Sequence, residues 1–430
     1  MNAFPRLMLG ISLLTAGSIA CEAQLTLEHC LERAEKNYPV IKKYGIVEKI
    51  SAIELSDINK SWLPQVTAYG QATGQNSVPE FPDALRGVLE QMGQEMRGMG
   101  KTQYKIGVDV SQTLWDGGTS KARRETARTR QSEQEAALDV EMYGIRERVE
   151  SIYFGILLID KQMEQTETTL ALLGSNLEQL RAMRRNGTAM QCDVDMLEAQ
   201  KLNINQQLAS ARGNRKAYCR MLEVLTGEAA DSKTLAVPEA SIPADMTSNR
   251  PELRLFDARM NSNNTQLQAI KASVMPRVGL FAQAYYGYPG FNYFESMRNR
   301  RLSVNIMAGV KVSWNLGTLY TRRNDTNRIS LSNRSIEADR DRFIFDTRLT
   351  IARQKTDIET MREVMADDSR IVALRANVRK AAESQLRNGV IDATGLLTKI
   401  TDENQAKLTA SYHEIKLLHL IYQLKNSLNR

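Results

Sequence analysis

The sequence predicts a mainly α-helical protein that carries two β-hairpins and is built from two copies of one structural half. Three observations carry this. An alternating segment that closes on a Trp and breaks at Gly occurs twice, as VSQTLWDGG (Val110 to Gly118) and VKVSWNLGT (Val310 to Thr318). Each copy then opens into a long charged run with apolar residues at heptad spacing. The composition agrees: 25% of the 430 residues are charged, 6% are aromatic and ten are proline, a balance that favours long helices over many short strands. The net charge of +7 points to no nucleic-acid partner, because acids and bases are interspersed along the helical runs.

Taken in order, residues 1–23 have the form of a secretory signal: Arg6, an apolar stretch from Leu7, and small residues at Ala20 and Ala23. Cleavage after Ala23 and lipid attachment at Cys21, preceded by Ser18-Ile19-Ala20, are both compatible with this segment. Either outcome takes the chain out of the cytoplasm. No later stretch of ~18 apolar residues exists, so a membrane location requires β-strands. Cys30, Cys192 and Cys219 form an odd set after cleavage and are expected to be free thiols in helices.

Residues 24–60 read as N-terminal helices, 61–116 as the first hairpin, 117–230 as a long helix pair with a tip, and 231–250 as a linker. Residues 251–273 read as a helix, 274–317 as the second hairpin and 318–430 as the second helix pair. The halves align at a spacing near 200 residues. WLPQVTAYGQATG from Trp62 faces VMPRVGLFAQAYYG from Val274, and RRNGTAMQCDVDMLEAQ from Arg184 faces LRNGVIDATGLLTKITDEN from Leu386. That period is too long for a solenoid unit and marks duplication of a whole half.

The strands rest on period two. Ile106, Val108 and Val110 alternate with Gly107, Asp109 and Ser111; Val304, Ile306, Val310 and Val312 alternate with Asn305, Met307, Lys311 and Ser313. Such a pattern fits a half-buried soluble sheet. It equally fits a tilted membrane strand with its apolar face to lipid and its polar face to a wet lumen. The segment from Ser77 to Gly100 is long for a hairpin connection, and reads as a lid or as a short surface helix. Arg298-Asn299-Arg300-Arg301 reads as a solvated loop or as a contact for lipid phosphates.

The helices rest on period 3.5. Leu138, Met142, Ile145, Val149, Ile152, Ile156, Ile159, Met163, Thr166, Leu170, Leu173, Leu177 and Leu180 step by four and three, the seam of a left-handed coiled coil. Residues 118–185 would span on the order of 100 Å as one helix. The returning helices are expected to share a register, Leu197, Ile204, Leu208 and Leu222 standing 200 residues before Leu397, Asn404, Leu408 and Tyr422. Asn186-Gly187 and Asn388-Gly389 mark the tips. Four strands cannot close a barrel, since small membrane barrels need about eight. In a membrane, several chains must therefore share one.

The ordered set LTLEHCLERAEKNYPVIKK, WLPQV, LWDGG, RRNGTAMQCDVDMLEAQ, MLEVLTG, NRPEL, VMPRVGL and the long segment from Leu386 resembles the TolC-like outer-membrane efflux proteins, over essentially all of residues 24–430. The resemblance implies a homotrimer with a shared 12-stranded transmembrane β-barrel in outer-membrane lipid and a coiled-coil tunnel of α-helices in the periplasm. It also implies tips that dock to a periplasmic adaptor (membrane fusion) protein joined to an inner-membrane transporter. The implied function is a passive exit duct of a multi-component efflux pump or type I secretion system, not an enzyme, with no cofactor, no metal and no nucleic acid. The family's tip motif places an Asp six residues after a Gly: Asp193 stands there relative to Gly187, whereas Gly395 stands there relative to Gly389. Asp193, Asp195 and Asp392 are then candidates for an acidic gate, or are simple dipole-favourable residues at helix starts. A soluble periplasmic coiled-coil scaffold, or the adaptor itself, is the alternative; the scaffold needs an internal cover for the apolar strand face. His413 and His419, six apart, lie on different helix faces and make no metal pair.

Overall fold

The computed structural model describes residues 24–93, 98–231, 234–239 and 241–430; the signal segment, Cys21 and Ala23 lie outside them. The elements are α1 (Leu27–Asn37), α2 (Ile41–Lys60), β1 (Gln65–Gly74), α3 (Asp83–Gln91), β2 (Thr102–Trp115), α4 (Thr119–Arg185) and α5 (Gln191–Thr226). They continue as α6 (Pro251–Ser273), β3 (Arg277–Tyr288), α7 (Tyr293–Asn299), β4 (Ser303–Ser313), α8 (Thr318–Ala366), α9 (Asp368–Arg387) and α10 (Ala393–Leu428). None of these helices is long and apolar enough to cross a membrane.

Two compact units are present. One comprises Lys42–Val140 and Pro251–Phe345 and holds the sheet, an antiparallel meander in the order β1-β2-β3-β4. Its strands enter their helices through the repeated motif. In the first copy Asp116 accepts from the N–H of Gly118 at 2.9 Å and of Ser120 at 2.5 Å. In the second, Asn315 accepts from the N–H of Gly317 at 3.1 Å. Both turns satisfy amide donors that a helix start leaves unpaired. Gly117 sits at φ +69°, where a side chain would also strike Met275 and the Pro276 carbonyl. The repeated Trp-to-Gly signature is thus a strand-to-helix corner made twice.

The other unit comprises the described residues up to Ile41, those within Glu141–Arg250, and Asp346–Arg430. Of the α4 seam residues that fall in it, Met142, Ile145, Val149, Ile152, Ile156, Thr166, Leu173, Leu177 and Leu180 are buried, and Ile159, Met163 and Leu170 are half-buried. Tyr153, fully buried, places its hydroxyl 2.7 Å from the Leu25 carbonyl and 2.6 Å from that of Ala236. It thereby ties the start of the described chain to the 231–250 segment, where Leu25 and Leu235 form a parallel bridge.

Two expectations are corrected. The outgoing run of the second half is two helices, α8 and α9, separated at Asp367, although neither Gly nor Pro stands there. The Asp368 carboxylate at the start of α9 meets Nδ1 of His413 on α10 at 2.8 Å. The second returning helix also buries Leu396, Ile400 and Glu403, while Leu397, Asn404 and Leu408 are only half-buried. At Leu396 and Glu403 its core face is therefore one position earlier than a strict 200-residue repeat gives, whereas Tyr422, opposite Leu222, is buried as the repeat expects. Glu403 is held there by Arg379 of α9 and by Lys407 at 2.8 Å, a pairing that lets a carboxylate occupy a core position.

Glu150, 3% exposed, is the buried acid of this unit outside such a pair; Asn426 donates to it at 2.6 Å. Burial pushes its carboxyl up to about 8, against the lowering pull of Arg146 and Lys425. The folded state therefore binds this proton more tightly than the unfolded chain, whose value is 4.5. The resulting stability is complete below that value and is lost as pH rises through about 8. His419, lowered to about 4 by burial, titrates with the opposite sense between that value and 6.5, so the Glu150 effect is cleanest above pH 6.5. Glu150→Gln is expected to flatten the loss of denaturant resistance from pH 6.5 upward. Parallel stability curves for variant and wild type would show that this acid is not desolvated.

Candidate functional site

The strand register assigns every sheet side chain to one of two faces. Val66, Val110, Ala282 and Ala308 fall in one cross-strand row; Gly70, Ile106, Tyr286 and Val304 fall in another. On this face the strands place no charged residue at all, and Gln112 is its one long polar side chain. It is also uncovered: Val304 is 71% exposed and Ile306 72%. Ile106, Val108, Val310 and Val312 are exposed on it too, and Val110 is half-buried. An apolar surface of four whole strands exceeds the scattered hydrophobes of an ordinary soluble surface.

The opposite face is polar. Gln71, Lys105, Asp109, Gln283, Asn305 and Lys311 alternate with the apolar set. Gly107 faces Tyr69 on β1 and Tyr285 on β3, and a side chain there would strike the Tyr285 Cβ and the Tyr69 ring. The two rings close over the glycine, and Lys105 Nζ stands 5.8 Å from the centroid of Tyr69 and 5.5 Å from that of Tyr285. Gln283 donates to the Tyr69 hydroxyl at 3.1 Å. Sequence periodicity shows which residues share this face; the clustering needs the cross-strand register.

Aromatic residues mark both rims. The chain has three tryptophans, and all flank strand ends that the antiparallel register gathers at one rim: Trp62 before β1, Trp115 closing β2, Trp314 after β4. A bulge between Thr113 and Trp115 pairs Trp115 with Val278 and so brings it onto the apolar face. Tyr104 and Tyr286 stand exposed at the other rim of that face. The outer edges of β1 and β4 have no neighbouring strand among the described residues.

The tips belong to the second unit. Gly187 at φ +74° and Gly389 at φ +70° take the left-handed conformation that ends α4 and α9. Leu173, Leu177, Leu180, Val194, Leu386 and Leu396 bury one core shared by both tips. Asp193, at the third position of α5, accepts from the Met190 N–H at 3.0 Å. Asp392, the residue capping α10, accepts from the Gly395 N–H at 2.8 Å. Each tip thus keeps one half of a reciprocal capping box, the first the inner acid and the second the outer one. Asp195 is exposed, with Gln191 donating to it.

Other singled-out residues have local roles. The segment from Ser77 to Gly100 contains α3, and Met99 packs with Tyr288 and Met297; residues 94–97 lie outside the described set. Arg298 pairs with Glu295 at 2.9 Å and Arg300 donates to the Gly98 carbonyl at 2.9 Å. Cys30 and Cys219 are buried and Cys192 is exposed. Among the described residues no group of three His, Cys, Asp or Glu is placed to hold a metal.

The family model described as outer membrane efflux protein matches residues 58–228. Over 94% of its length the chain superposes on the outer-membrane channel OprN, with TM-score 0.68, 14% identity and 89% of that chain covered. This is the outer-membrane efflux protein fold. Similar likenesses hold to CusC, whose structures concern folding and transmembrane channel formation (TM-score 0.69, 13% identity, 92% of that chain), and to the outer membrane protein VceC from Vibrio cholerae (TM-score 0.67, 14% identity, 95% of that chain). No curated protein sequence matches the chain. The family match over residues 58–228 and the likeness over nearly the whole chain agree on one fold, that of outer-membrane channels.

The caps make a direct prediction. Asp392→Ala is expected to cost about 0.5–2 kcal/mol of local helix stability, seen as faster amide hydrogen exchange over residues 393–397. Unchanged exchange there would free Asp392 from its capping role.

Proposed function

We propose that this chain is one third of a trimeric outer-membrane exit duct, a passive conduit through which a periplasmic adaptor and an inner-membrane transporter discharge cargo. The observation that carries the reading is the sheet: an uncharged, uncovered apolar face between two open edges. In hydrocarbon each unpaired backbone group costs several kcal/mol, so open edges must be closed by another chain. Three copies joined β4 to β1 make twelve strands and leave no edge.

The apolar face then meets lipid and the polar face lines the lumen. From Trp115 to Tyr104 is eleven residues. At ~3.3 Å per residue and ~45° tilt this projects to about 26 Å, the height of the apolar band of outer-membrane barrels. Trp and Tyr at its two limits suit the aromatic girdles of such barrels. A soluble scaffold would have to cover the apolar face, and among the described residues only Tyr288 at its rim is covered, by Met99 and Met297. The tips, with Gly187 and Gly389 at their turns, are the docking surface for the adaptor, and Asp193, Asp195 and Asp392 put three acids near them in every chain.

Extraction of the outer membrane with mild detergent, followed by native mass spectrometry, tests the assembly: a three-chain particle is expected, and a soluble periplasmic monomer would refute the duct. Ile306→Lys or Val310→Lys is expected to cost up to ~2–4 kcal/mol in the membrane and impair barrel insertion. Ser111→Lys, on the opposite face, serves as the control that inserts normally. Equal insertion of all three would reverse or abolish the assignment of faces.

A further inference from the structure

We infer that the barrel lumen of this duct is an anion-favouring filter whose fixed charges are Lys105, Arg277 and Lys311, so that the outer part of the path selects for anionic cargo. The inference rests on the duct reading, because the polar face becomes a lumen only when copies close the barrel.

Every charged residue of the four strands lies on the polar face. β1 contributes none, β2 contributes Lys105 and Asp109, β3 contributes Arg277 and β4 contributes Lys311. Three bases thus face one acid in each chain, and threefold closure multiplies the excess. Low-dielectric walls around a wet channel focus such a field along its axis.

Lys105 is more than a scattered surface charge. Its ammonium stands over the faces of Tyr69 and Tyr285, which Gly107 allows to converge from the neighbouring strands. Ring faces attract a cation, and two of them fix an otherwise flexible side chain in the plane of the wall. The Gln283 bond holds the Tyr69 ring in place from the next strand but one. Asp109 is the acid that could offset Lys105, yet Gly107 stands between them on this face and the two positions are about 13 Å apart along β2. That separation exceeds the Debye length of ~8 Å at physiological salt, so the two charges do not cancel locally. Lys311 is exposed on β4.

The test is the reversal potential of the full-length trimer in a planar bilayer under a KCl gradient, with the dilute bath on the barrel side. The screening length is ~30 Å at 0.01 M and ~3 Å at 1 M, so the dilute side weights the lumen charges. Chloride is expected to permeate in excess of potassium, and the preference is expected to shrink when the gradient is moved upward so that the dilute bath is itself about 1 M. Lys105→Gln and Lys311→Gln should each lower the chloride-to-potassium ratio severalfold, and Lys105→Arg should restore it. Lys311→Gln leaves the Tyr69–Lys105–Tyr285 cluster intact and keeps the outcome readable if Lys105→Gln disturbs the wall. A pore that prefers potassium, or that ignores both substitutions, overturns the filter while leaving the duct standing. A chain that conducts no ions in any bath overturns the duct and this inference with it.

Discussion

The structure depends on where the backbone hydrogen bonds of β1 and β4 end. Inside the sheet each strand satisfies its neighbour over ten or more residues, but one flank of β1 and one of β4 are left open. Water would make this tolerable for a polar strand. Here the same strands carry an uncharged face with valines and isoleucines largely uncovered, so the environment that suits the side chains is the one that forbids an open edge. Closure by further copies, as proposed above, would reconcile the two demands. The case for copies thus rests on backbone chemistry before any specific contact between chains is considered.

Duplication supplies the means. One half of the chain gives a hairpin with an open edge on either side; two halves in the order β1-β2-β3-β4 still leave two edges, and they remain matched in length and polarity of direction. The copies have kept what geometry demands and drifted elsewhere. The corner from strand to helix needs one short acceptor at its start, and Asp116 and Asn315 serve equally. The tip needs one acid to cap the returning helix, and either position of the capping box suffices, so Asp193 and Asp392 no longer correspond. Divergence at the tips is the behaviour expected of residues whose first duty is to cap.

Much of this was legible in the sequence because two simple periods are enforced by burial. The α4 seam repeats without a slip and is correspondingly buried or half-buried from Leu138 to Leu180. Period two separated Ile306 from Asn305 before any register was known. What periodicity does not reveal is an exception made by tertiary contact. Nothing at Asp367 signals a break, since Met365, Ala366 and Asp368 are ordinary helix residues. In the first part of α10 the core face lies one position early and holds Glu403, which Arg379 and Lys407 neutralise, and no hydropathy pattern assigns a carboxylate to a core. Likewise the bulge before Trp115 moves that ring to the other face, against the alternation that precedes it. Lys105 and its two tyrosines come from three strands, and Tyr69 and Tyr285 lie more than two hundred residues apart in sequence, so only register could bring them together.

The acids of the tips and the bases of the polar face need not be at odds along one conduit. Asp193 and Asp392 direct an oxygen to a backbone N–H at a helix start, so part of each charge is already engaged with partial positive charge there. Among the described residues Lys105 has no such counter-charge; it has ring faces, which hold a cation while leaving its net charge in the field. At physiological salt a charge is felt over ~8 Å, so in the proposed duct each set of charges acts on a solute only at its own place in the wall. The sign of one set then does not dictate the sign of another, and such a duct could admit cargo by one criterion and release it by a second.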